Sequence, residues 1–527
     1  MRCQIHSFDQ LNPHFSRSTI SAVSGNWIDK CRWLGRTHFI MDIDVEEYGE
    51  RAICEHCVGD NYLAKQIELN GEVETCFYCE EDERRTWLLS EVADAVEAAF
   101  QQHFRRTPDQ PDGLQSMMLA DKEGTYEWDR DGEQTVYAIM NALNSSEEIA
   151  SDLQQYLEKK HEDWDAAVCG QECEFASEAY YEEIMPSDGA WHEEWQRFER
   201  NLKRETRFFS GAAQEYLKSI FGGVDTMKTA KGRPVVIEAG PEQEILGFYR
   251  GRVFYSDDKL EVAMKRPDLE LGPPPSELAP AGRMNAHGVS VFYGADSVLG
   301  AIAEVRPPVA SRVLIGRFDL LRKVRLLDFQ ALRSVTESGS IFDPYFADRL
   351  SRQRFLRSLK YKISRPVMPT DEAFDYLATQ AVVDFLANGL ETELDGVLFP
   401  SAQTGDKSVN VVMFHRASRV QEIVLPDGSE IDATTYMHTN EGAEPWFTVT
   451  ENTPREKMTK SAEWDKAMLT KLPSYFAENR FDADERADTL TVNLDCLEVH
   501  IVSEIGYKTD DHKVLRHRRN KPDYDQF

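Results

Sequence analysis

The sequence lacks any long apolar run, and its first residues lack the pattern of a secretory signal. No stretch of the 527 residues approaches the roughly 20 consecutive apolar residues that a membrane-spanning helix needs. The opening segment, MRCQIHSFDQLNPHF, has neither a cationic start nor an apolar core. We therefore expect a cytoplasmic protein that does not use a membrane as a partner.

The sequence is also poor in basic charge. It has 60 Lys and Arg against 92 Asp and Glu, which gives a formal net charge of −32. Surfaces that track nucleic-acid phosphates are basic, so this balance argues against a nonspecific nucleic-acid binder. The acid is concentrated between Glu147 and Glu199, where 16 acidic residues accompany three basic ones. We interpret this segment as solvated helical surface, with a docking surface for a basic partner as the alternative.

The chain contains neither a P-loop nor a GxGxxG motif, and no internal repeat or low-complexity tract. The two commonest local signatures of phosphate binding are therefore missing. Its composition, with 41% apolar and 10% aromatic residues, is that of a globular protein. Because 527 residues exceed one compact core, we predict three domains, over residues 1–230, 231–425 and 426–527.

The first domain is predicted to be mostly helical. Apolar residues recur at helical spacing over residues 86–104 and again over residues 191–223, where the pattern stops at a pair of glycines. We interpret the Trp and Phe residues of these helices as core. From about Thr229 onward, short β-branched or apolar runs separated by polar turns favour strands. These runs are VLIGRFDL, VRLLDF, GVLFPS, VNVVMFH and VQEIVL.

Two helices interrupt the predicted strands. One begins near Asp296 and Ser297, and the other ends at Asn388 and Gly389. Helices and strands mixed in this order predict an α+β fold. The proline-rich residues 271–282 predict an irregular loop. Near the C-terminus, TLTVNLDCLEVHIVSEIGYKTDDHKVLRHRR predicts two or three strands before a polar tail.

Four of the nine cysteines form a metal-ligand pattern. Cys54 and Cys57 make one C-x2-C pair, and Cys76 and Cys79 make a second, with 18 residues between the pairs. This spacing is typical of a four-cysteine zinc site, in which the thiolates close a tetrahedron and leave no open position. The sequence therefore predicts a structural zinc ion, and the alternative is a redox dithiol.

A second constellation lies in GRMNAHGVSVFYGADSVLGAIAE, which carries Arg283, Tyr293 and Glu304 at similar intervals. Arg250 ends an aromatic run upstream, and Ser401 ends a buried-looking strand downstream. Arginines at turns and strand ends suit pyrophosphate or carboxylate groups. Taken alone, each has an ordinary interpretation, since a lone Arg is usually surface. A lone Glu in the first turns of a helix usually interacts with the helix dipole.

The order of these motifs along the chain indicates more than each residue does alone. In chain order, FYR, GRMN, VFYGAD, AIAE, DGVLFPS and VNVVMF resemble the RES domain, over roughly residues 237–424. RES domains are bacterial toxin-type enzymes that degrade NAD and are often encoded with an antitoxin. Their fold is similar to that of diphtheria-like ADP-ribosyltransferases. The family often has an aromatic residue where this sequence has Met284. We expect this difference to affect only a packing contact. The cysteine-containing part resembles the helical zinc domain found before RES or HEPN domains.

The resemblance implies a role for each residue. Arg250 and Arg283 would hold NAD as anion-binding residues, and Tyr293 would face the nicotinamide. Glu304 would be the catalytic carboxylate and Ser401 the family serine, with Arg283 and Tyr293 also in the catalytic set. The chemistry of these residue types agrees with the implied roles. A carboxylate stabilises an oxocarbenium-like transition state, and an arginine can make bidentate hydrogen bonds to a pyrophosphate.

We assign no nucleophilic role to Ser401, because no histidine is available to activate it. It would instead bind the entering phosphate or a ribose hydroxyl. His287, in the turn after Arg283, is the nearest histidine in sequence and is interpreted as a turn residue.

The implied activity is cleavage of the nicotinamide–ribose bond of NAD, by phosphorolysis or hydrolysis. The enzyme would be an NAD phosphorylase or NAD glycohydrolase that depletes cellular NAD, as a toxin or an antiviral defence effector. Its expected partners are NAD, inorganic phosphate and an antitoxin or other regulator, and the sequence allows a homodimer.

Three alternatives remain open. One is an ADP-ribosyltransferase acting on a protein or nucleic acid. Another is a non-catalytic nucleotide-binding regulator. The third is a HEPN-type RNase, whose R-x4-6-H motif occurs at Arg51 to His56 and at Arg32 to His38, although neither copy lies late on a long helix.

Overall fold

The computed structural model describes residues 48–121, 125–162, 172–205, 210–364, 367, 371–405, 407–440, 442–454, 484–506 and 509–518. Arg32 and His38 lie outside these residues. The helices are α1 (Asn61–Asn70), α2 (Leu89–His103), α3 (Gly113–Ala120), α4 (Thr135–Leu143), α5 (Glu147–Lys160), α6 (Gly189–Arg204), α7 (Gly211–Phe221), α8 (Asp257–Lys265), α9 (Pro267–Glu270), α10 (Val298–Val305), α11 (Phe346–Ser364) and α12 (Glu372–Asn388).

The strands belong to one large sheet and three small ones. They are β1 (Ala52–Cys54), β2 (Glu72–Glu74), β3 (Arg84–Leu88), β4 (Phe104–Arg106), β5 (Glu133–Gln134), β6 (Tyr180–Glu183), β7 (Val236–Ala239), β8 (Gly247–Phe254), β9 (Phe292–Ala295), β10 (Arg312–Leu320), β11 (Val324–Asp328), β12 (Gly396–Pro400), β13 (Val409–Met413), β14 (Glu430–Thr439), β15 (Gly442–Asn452) and β16 (Leu490–Ile501). The predicted α+β fold is confirmed.

The N-terminal region combines helices with two three-stranded sheets, β1-β3-β2 and β4-β6-β5. The helix predicted over residues 86–104 begins at Leu89, because β3 occupies the residues before it. The predicted apolar stripe is buried along α2, whereas Leu88 belongs to the strand and is exposed. The predicted helical period is confirmed, and the helix begins three residues later than predicted.

The helical pattern predicted over residues 191–223 corresponds to two helices, α6 and α7. Ser210 caps the second helix, because its hydroxyl accepts a hydrogen bond from the Ala213 amide at 3.3 Å. Trp195 and Phe221 are buried, which confirms that these two aromatic residues are core. Phe208 and Phe209, which belong to the same prediction, lie outside the described residues. Gly222, the first of the two predicted terminal glycines, caps α7.

Four of the five predicted strand runs are strands of one eight-stranded sheet, in the order β16-β10-β8-β9-β13-β12-β11-β7. The fifth prediction, VQEIVL, is wrong. In that segment Val420 makes only an isolated bridge to Leu490. The amide of Ile423 instead donates to the buried carboxylate of Asp268 at 2.8 Å, so this backbone is satisfied outside a ladder.

Side chains alternate between the two faces of this sheet, and paired residues on antiparallel strands share a face. On one face, Ala295 packs with Ala301 of α10, and Val412 packs with α11 and α12. We call this the α10 face. On the other face, Phe248 and Phe292 pack with α8. We call this the α8 face.

Packing crosses both predicted domain boundaries, which remain predictions. On the N-terminal side, α6 and α7 share one apolar cluster with α11 and α12 of the middle region. On the C-terminal side, β16 pairs with β10 and completes the edge of the large sheet. Strand β16 is a single strand where two or three were predicted, and residues 509–518 have no regular structure. Among the described residues, none of the helices is both long enough and apolar enough to cross a membrane.

Candidate active site and metal centre

The four cysteines of the predicted metal site converge. Their sulfur atoms all lie within 4.8 Å of one another. Cys54 Sγ is 3.6 Å from Cys79 Sγ, and Cys57 Sγ is 3.8 Å from Cys76 Sγ. A tetrahedral zinc ion with zinc–sulfur distances of about 2.3 Å holds its sulfurs about 3.8 Å apart. The donor set and its spacing therefore fit a single tetrahedral metal ion.

Each cysteine pair lies in a tight backbone turn. The Cys57 amide donates to the Cys54 carbonyl at 3.1 Å, and the Glu80 amide donates to the Cys76 carbonyl at 3.0 Å. The second turn is held against the first strand, because the Phe77 amide donates to the carbonyl of Ala52 at 2.8 Å. The cluster is thus fixed by local backbone contacts.

Arg51, the arginine of one RNase-like motif, has a structural environment. Its guanidinium forms an ion pair with Asp152 and lies 4.4 Å from the centroid of the Phe77 ring. Tyr78 donates to the same carboxylate at 2.8 Å. His56, the other residue of the motif, is exposed in the first cysteine turn. These contacts join the cysteine region to α5 and give Arg51 an ordinary role in packing.

In the second constellation, Ser401 and Glu304 are in direct contact. Ser401 follows β12, is fully buried, and donates from Oγ to Glu304 Oε1 at 2.6 Å. Its amide donates to the Ser408 carbonyl at 2.8 Å, which extends the β12–β13 ladder by one step. Glu304 is the penultimate residue of α10, not in its first turns as expected, and is exposed. The contact therefore leaves the carboxylate accessible.

The start of α10 is held against the loop between β12 and β13. Ser297 caps the helix by accepting from the Gly300 amide at 3.2 Å, and Ser408 Oγ donates to Asp296 Oδ1 at 2.6 Å. A Cβ atom at Gly300 would lie 2.1 Å from Ser408 Oγ. This close approach requires glycine, and it fixes the helix that carries Glu304 beside the loop that carries Ser401.

Tyr293 joins strand β9 to the GRMN turn. Its hydroxyl donates to Asn285 Oδ1 at 2.8 Å and accepts from the Met284 amide at 3.0 Å. Burial raises the pKa of Tyr293 to about 12, so the side chain is a neutral phenol at physiological pH. The tyrosine can therefore offer a ring to a ligand while its hydroxyl supports the turn.

Arg250 contacts the same tyrosine through the backbone. Its Nη1 donates to the Tyr293 carbonyl at 3.2 Å, and its guanidinium lies 5.3 Å from the centroid of the Phe292 ring. Burial lowers the pKa of Arg250 to about 10, which leaves it cationic at neutral pH. Because Phe292 belongs to the α8 face, the Arg250 side chain lies on that face.

Arg283 lies beside the two long helices. Its Nη1 donates to the Ile363 carbonyl near the end of α11 at 2.8 Å, and its guanidinium lies 5.2 Å from the centroid of the Tyr376 ring. Thr379 of α12 donates to the Arg283 carbonyl at 2.7 Å. Met284, the residue after Arg283, differs from the family's usual aromatic residue. It is fully buried in the apolar core and is therefore a packing residue.

The structure therefore brings the predicted residues together in two groups. Glu304 and Ser401 form one group, while Arg250, Tyr293 and the turn of Arg283 form the other. Strand β9 and helix α10 link them, because Tyr293 lies in the strand that leads directly into the helix of Glu304.

His287 and Asn410 also belong to this region. His287 is an exposed turn residue, as interpreted from the sequence. Sequence reasoning missed Asn410, a buried amide on β13. The available signal was its position as the one polar residue of the run VNVVMF.

A cavity of about 800 Å³ lies near the same end of the sheet, within the size range of small-molecule pockets. Its walls include Phe248 and Leu398 of the α8 face and the charged side chains of Lys231, Arg233 and Arg317. None of the five predicted residues lines it. Its walls also include Tyr249, which packs on the α10 face, and Asp296, which precedes α10. The cavity therefore reaches the start of the helix that carries Glu304.

Comparison with known proteins gives one match. The family model of the RES domain matches residues 266–435. That span contains Arg283, Tyr293, Glu304 and Ser401, and it begins after Arg250. No curated protein and no solved structure matches the chain. The likeness to ADP-ribosyltransferase folds therefore remains a prediction.

Proposed function

Since this chain carries a RES domain over residues 266–435, we propose that it cleaves the nicotinamide–ribose bond of NAD. An NAD-related role follows at the level of the family, and the bond that is broken is our inference. The observation that supports it most is the 2.6 Å hydrogen bond from Ser401 to Glu304. This contact orients an exposed carboxylate at the end of the strand–helix unit that also carries Tyr293.

Glu304 would stabilise the transition state. Cleavage of an N-glycosidic bond develops positive charge on the ribose, and a nearby carboxylate lowers the energy of that charge. The Ser401 hydroxyl holds one carboxylate oxygen, which leaves the other free to face the ribose. Such an interaction is strongest in the transition state, so it contributes mainly to kcat.

Tyr293 and Arg283 would bind the two ends of the reacting half of NAD. The Tyr293 ring supplies a flat apolar surface for the nicotinamide. Arg283 offers a planar guanidinium to the pyrophosphate, which suits bidentate hydrogen bonding. Its contact with the Ile363 carbonyl holds the side chain in place and would be exchanged or shared when an anion binds.

Arg250 would act on the site through Tyr293. Its side chain lies with Phe292 on the α8 face, and its hydrogen bond to the Tyr293 carbonyl holds β9 in position. Direct NAD binding by Arg250 would require the dinucleotide to reach between β8 and β9, which pair only at Tyr249 and Ala295. The contacts favour the positioning role.

Ser401 would not act as a nucleophile. No histidine contacts it within the described parts of the chain, and its hydroxyl proton is directed to Glu304. Its role would be to orient that carboxylate, with binding of the entering phosphate or a ribose hydroxyl as a further prediction.

We propose that the four cysteines hold one zinc ion. Their sulfur spacing fits a tetrahedral ion, and four thiolates leave no position for substrate. The zinc would therefore be structural, and it would fix the first two strands of the cysteine region against each other.

In the cell, this activity would make the chain a toxin or defence effector controlled by an antitoxin or another regulator. Inducible expression in a bacterium, with NAD measured over time, tests this proposal. We expect the NAD level to fall before growth stops. Arrested growth at a constant NAD level would show that NAD is not the substrate.

The acceptor of the ADP-ribosyl group is tested separately. NAD labelled in its adenylate half is incubated with the purified chain, with and without inorganic phosphate. A phosphate-dependent small product indicates a phosphorylase, and ADP-ribose indicates a glycohydrolase. Label on the protein or on an added macromolecule would indicate an ADP-ribosyltransferase instead.

A further inference from the structure

Asn410 is a buried amide whose oxygen has no partner. The residue is 3% exposed, and among the described residues no group donates to Oδ1. Its neighbours along β13 are Val409, Val411 and Val412, so the position lies in an otherwise apolar strand. Leaving a buried amide oxygen unsatisfied costs roughly 1–3 kcal/mol. A residue that carries such a cost is a candidate for a contact made only when a ligand is bound.

The strand register places Asn410 between the two groups of predicted residues. It pairs with Ala295 on one side and with Phe399 on the other. Tyr293 is two residues from Ala295, and Ser401 is two residues from Phe399, so both are diagonal neighbours of Asn410 on the α10 face. Diagonal neighbours in a sheet lie about 7–8 Å apart, within reach of one ring and its substituent. A nicotinamide packed on Tyr293, with its ribose near Glu304, would therefore meet Asn410.

We propose that Asn410 recognises the carboxamide of the nicotinamide group, an inference that rests on the proposed function. The unpaired Oδ1 accepts a hydrogen bond from the carboxamide NH2, and the Asn410 NH2 can donate to the carboxamide oxygen. Amide side chains match amides in this way because each offers one acceptor and two donors. Asn410 is thus a specificity residue, which selects NAD over dinucleotides whose ring lacks a carboxamide NH2.

The test compares two substrates with two proteins. The substrates are NAD and its 3-acetylpyridine analogue, which keeps the ring carbonyl and replaces the NH2 with a methyl group. The proteins are the full chain and Asn410→Leu. We expect the ratio of kcat/KM for NAD to kcat/KM for the analogue to fall by roughly tenfold or more in the variant, because the selective hydrogen bond is gone. Intrinsic differences in leaving-group reactivity cancel in this comparison.

A stability measurement separates this role from a structural one. Replacing an unsatisfied buried amide with an apolar side chain of similar size should leave the melting temperature unchanged or raise it. Met413→Leu serves as the matched control, since Met413 lies on the same strand but on the α8 face. It should not change the substrate ratio. An Asn410→Leu protein that is folded and keeps the wild-type ratio would overturn the proposal.

If the proposed function is wrong, the kinetic result differs from an unchanged substrate ratio. In that case the wild-type chain would cleave neither dinucleotide. Binding of free nicotinamide to the full chain and to Asn410→Leu, followed by NMR, then decides the inference. Weaker binding by the variant supports carboxamide recognition, and equal binding or none to either protein contradicts it.

Discussion

The cysteine cluster and the Glu304 site are assembled in different ways. The cluster takes four residues from two short turns, and all four sulfurs lie within 4.8 Å of one another. The predicted NAD site takes residues from a strand, a turn, a second strand, a helix and a loop, between Arg250 and Ser401. Its members touch only in two separate groups. A metal site made of these four thiolates would be complete by itself, whereas a substrate site would leave open the space that its ligand fills.

The largest effect is expected at the open site, from Glu304→Gln. The variant keeps the Ser401 contact but loses the negative charge that would stabilise the oxocarbenium-like ribose. Loss of one such electrostatic contact typically costs roughly a hundredfold or more in rate. We expect kcat to fall by about that factor, with a smaller change in NAD binding. Initial rates and equilibrium binding of NAD measure the two quantities.

Glu244→Gln provides the matched control for this variant. Glu244 lines the 800 Å³ cavity, whose walls contain none of the five predicted residues. We expect its activity to equal that of the wild type. If Glu244→Gln abolished cleavage and Glu304→Gln did not, the cavity would be the active site and the assignment of the carboxylate would be wrong.

The closed site is tested by Cys76→Ser. Removing one of four thiolates should lower zinc affinity at least tenfold to hundredfold, because outer contacts alone change it by that much. We expect metal analysis to fall from about one equivalent to a small fraction, with a lower melting temperature. Cys496→Ser, which changes a cysteine on β16, should retain the metal. A stable wild-type protein without zinc would contradict the proposed metal site.

A smaller effect is expected at Arg283. Its guanidinium would contact the pyrophosphate in the ground state and in the transition state alike, so Arg283→Ala should raise KM by roughly tenfold, at least as clearly as it lowers kcat. Arg283→Lys should restore little, because an ammonium group cannot replace a bidentate fork. Steady-state kinetics over a range of NAD concentrations gives both parameters. Full recovery by lysine would argue against a bidentate contact.

The smallest effect concerns Tyr293 and pH. Burial raises the pKa of Tyr293 to about 12, above its ordinary value of 10.0. A raised pKa means that the folded state favours the neutral phenol, so this stabilisation is complete below pH 10 and is lost as pH rises toward 12. Tyr293→Phe, which has no hydroxyl to ionise, should lose less stability than the wild type over that range. Denaturant titrations at pH 8, 10 and 11 would reveal the difference, and parallel loss in both proteins would contradict it.

The cysteine cluster and the Glu304 site also differ in how much of each could be predicted from the sequence. The convergence of the four cysteines is predictable because two C-x2-C pairs at this spacing are typical of a four-cysteine metal site, and the structure brings their sulfurs within 4.8 Å of one another. Apolar runs predict four of the strands. Strand β3 lies within the start of a helical pattern, and in VQEIVL the amide of Ile423 donates to Asp268 and not to a neighbouring strand. The start of the helix after β3 and the absence of a strand in VQEIVL both depend on tertiary contacts, which a local sequence pattern does not contain.

Within the predicted NAD site, the sequence shows which residue types are present. It does not show on which face of the sheet each side chain lies. Sequence grouped Arg250 with Arg283, yet strand register turns the Arg250 side chain to the α8 face. Asn410 was overlooked because its role depends on which residues lie beside it in the sheet. Register across strands joined by long connections is set by the whole fold, and it decides which polar residues can meet one ligand.

We propose that the residues of the α10 face and of α10 release nicotinamide from NAD. The most direct test is to incubate the purified full chain with NAD and to quantify free nicotinamide over time by chromatography, in the presence and absence of phosphate. We expect one nicotinamide to be released for each NAD consumed under at least one of these conditions, and strongly reduced release by Glu304→Gln measured alongside. Intact NAD under both conditions, or equal release by the variant, would contradict it.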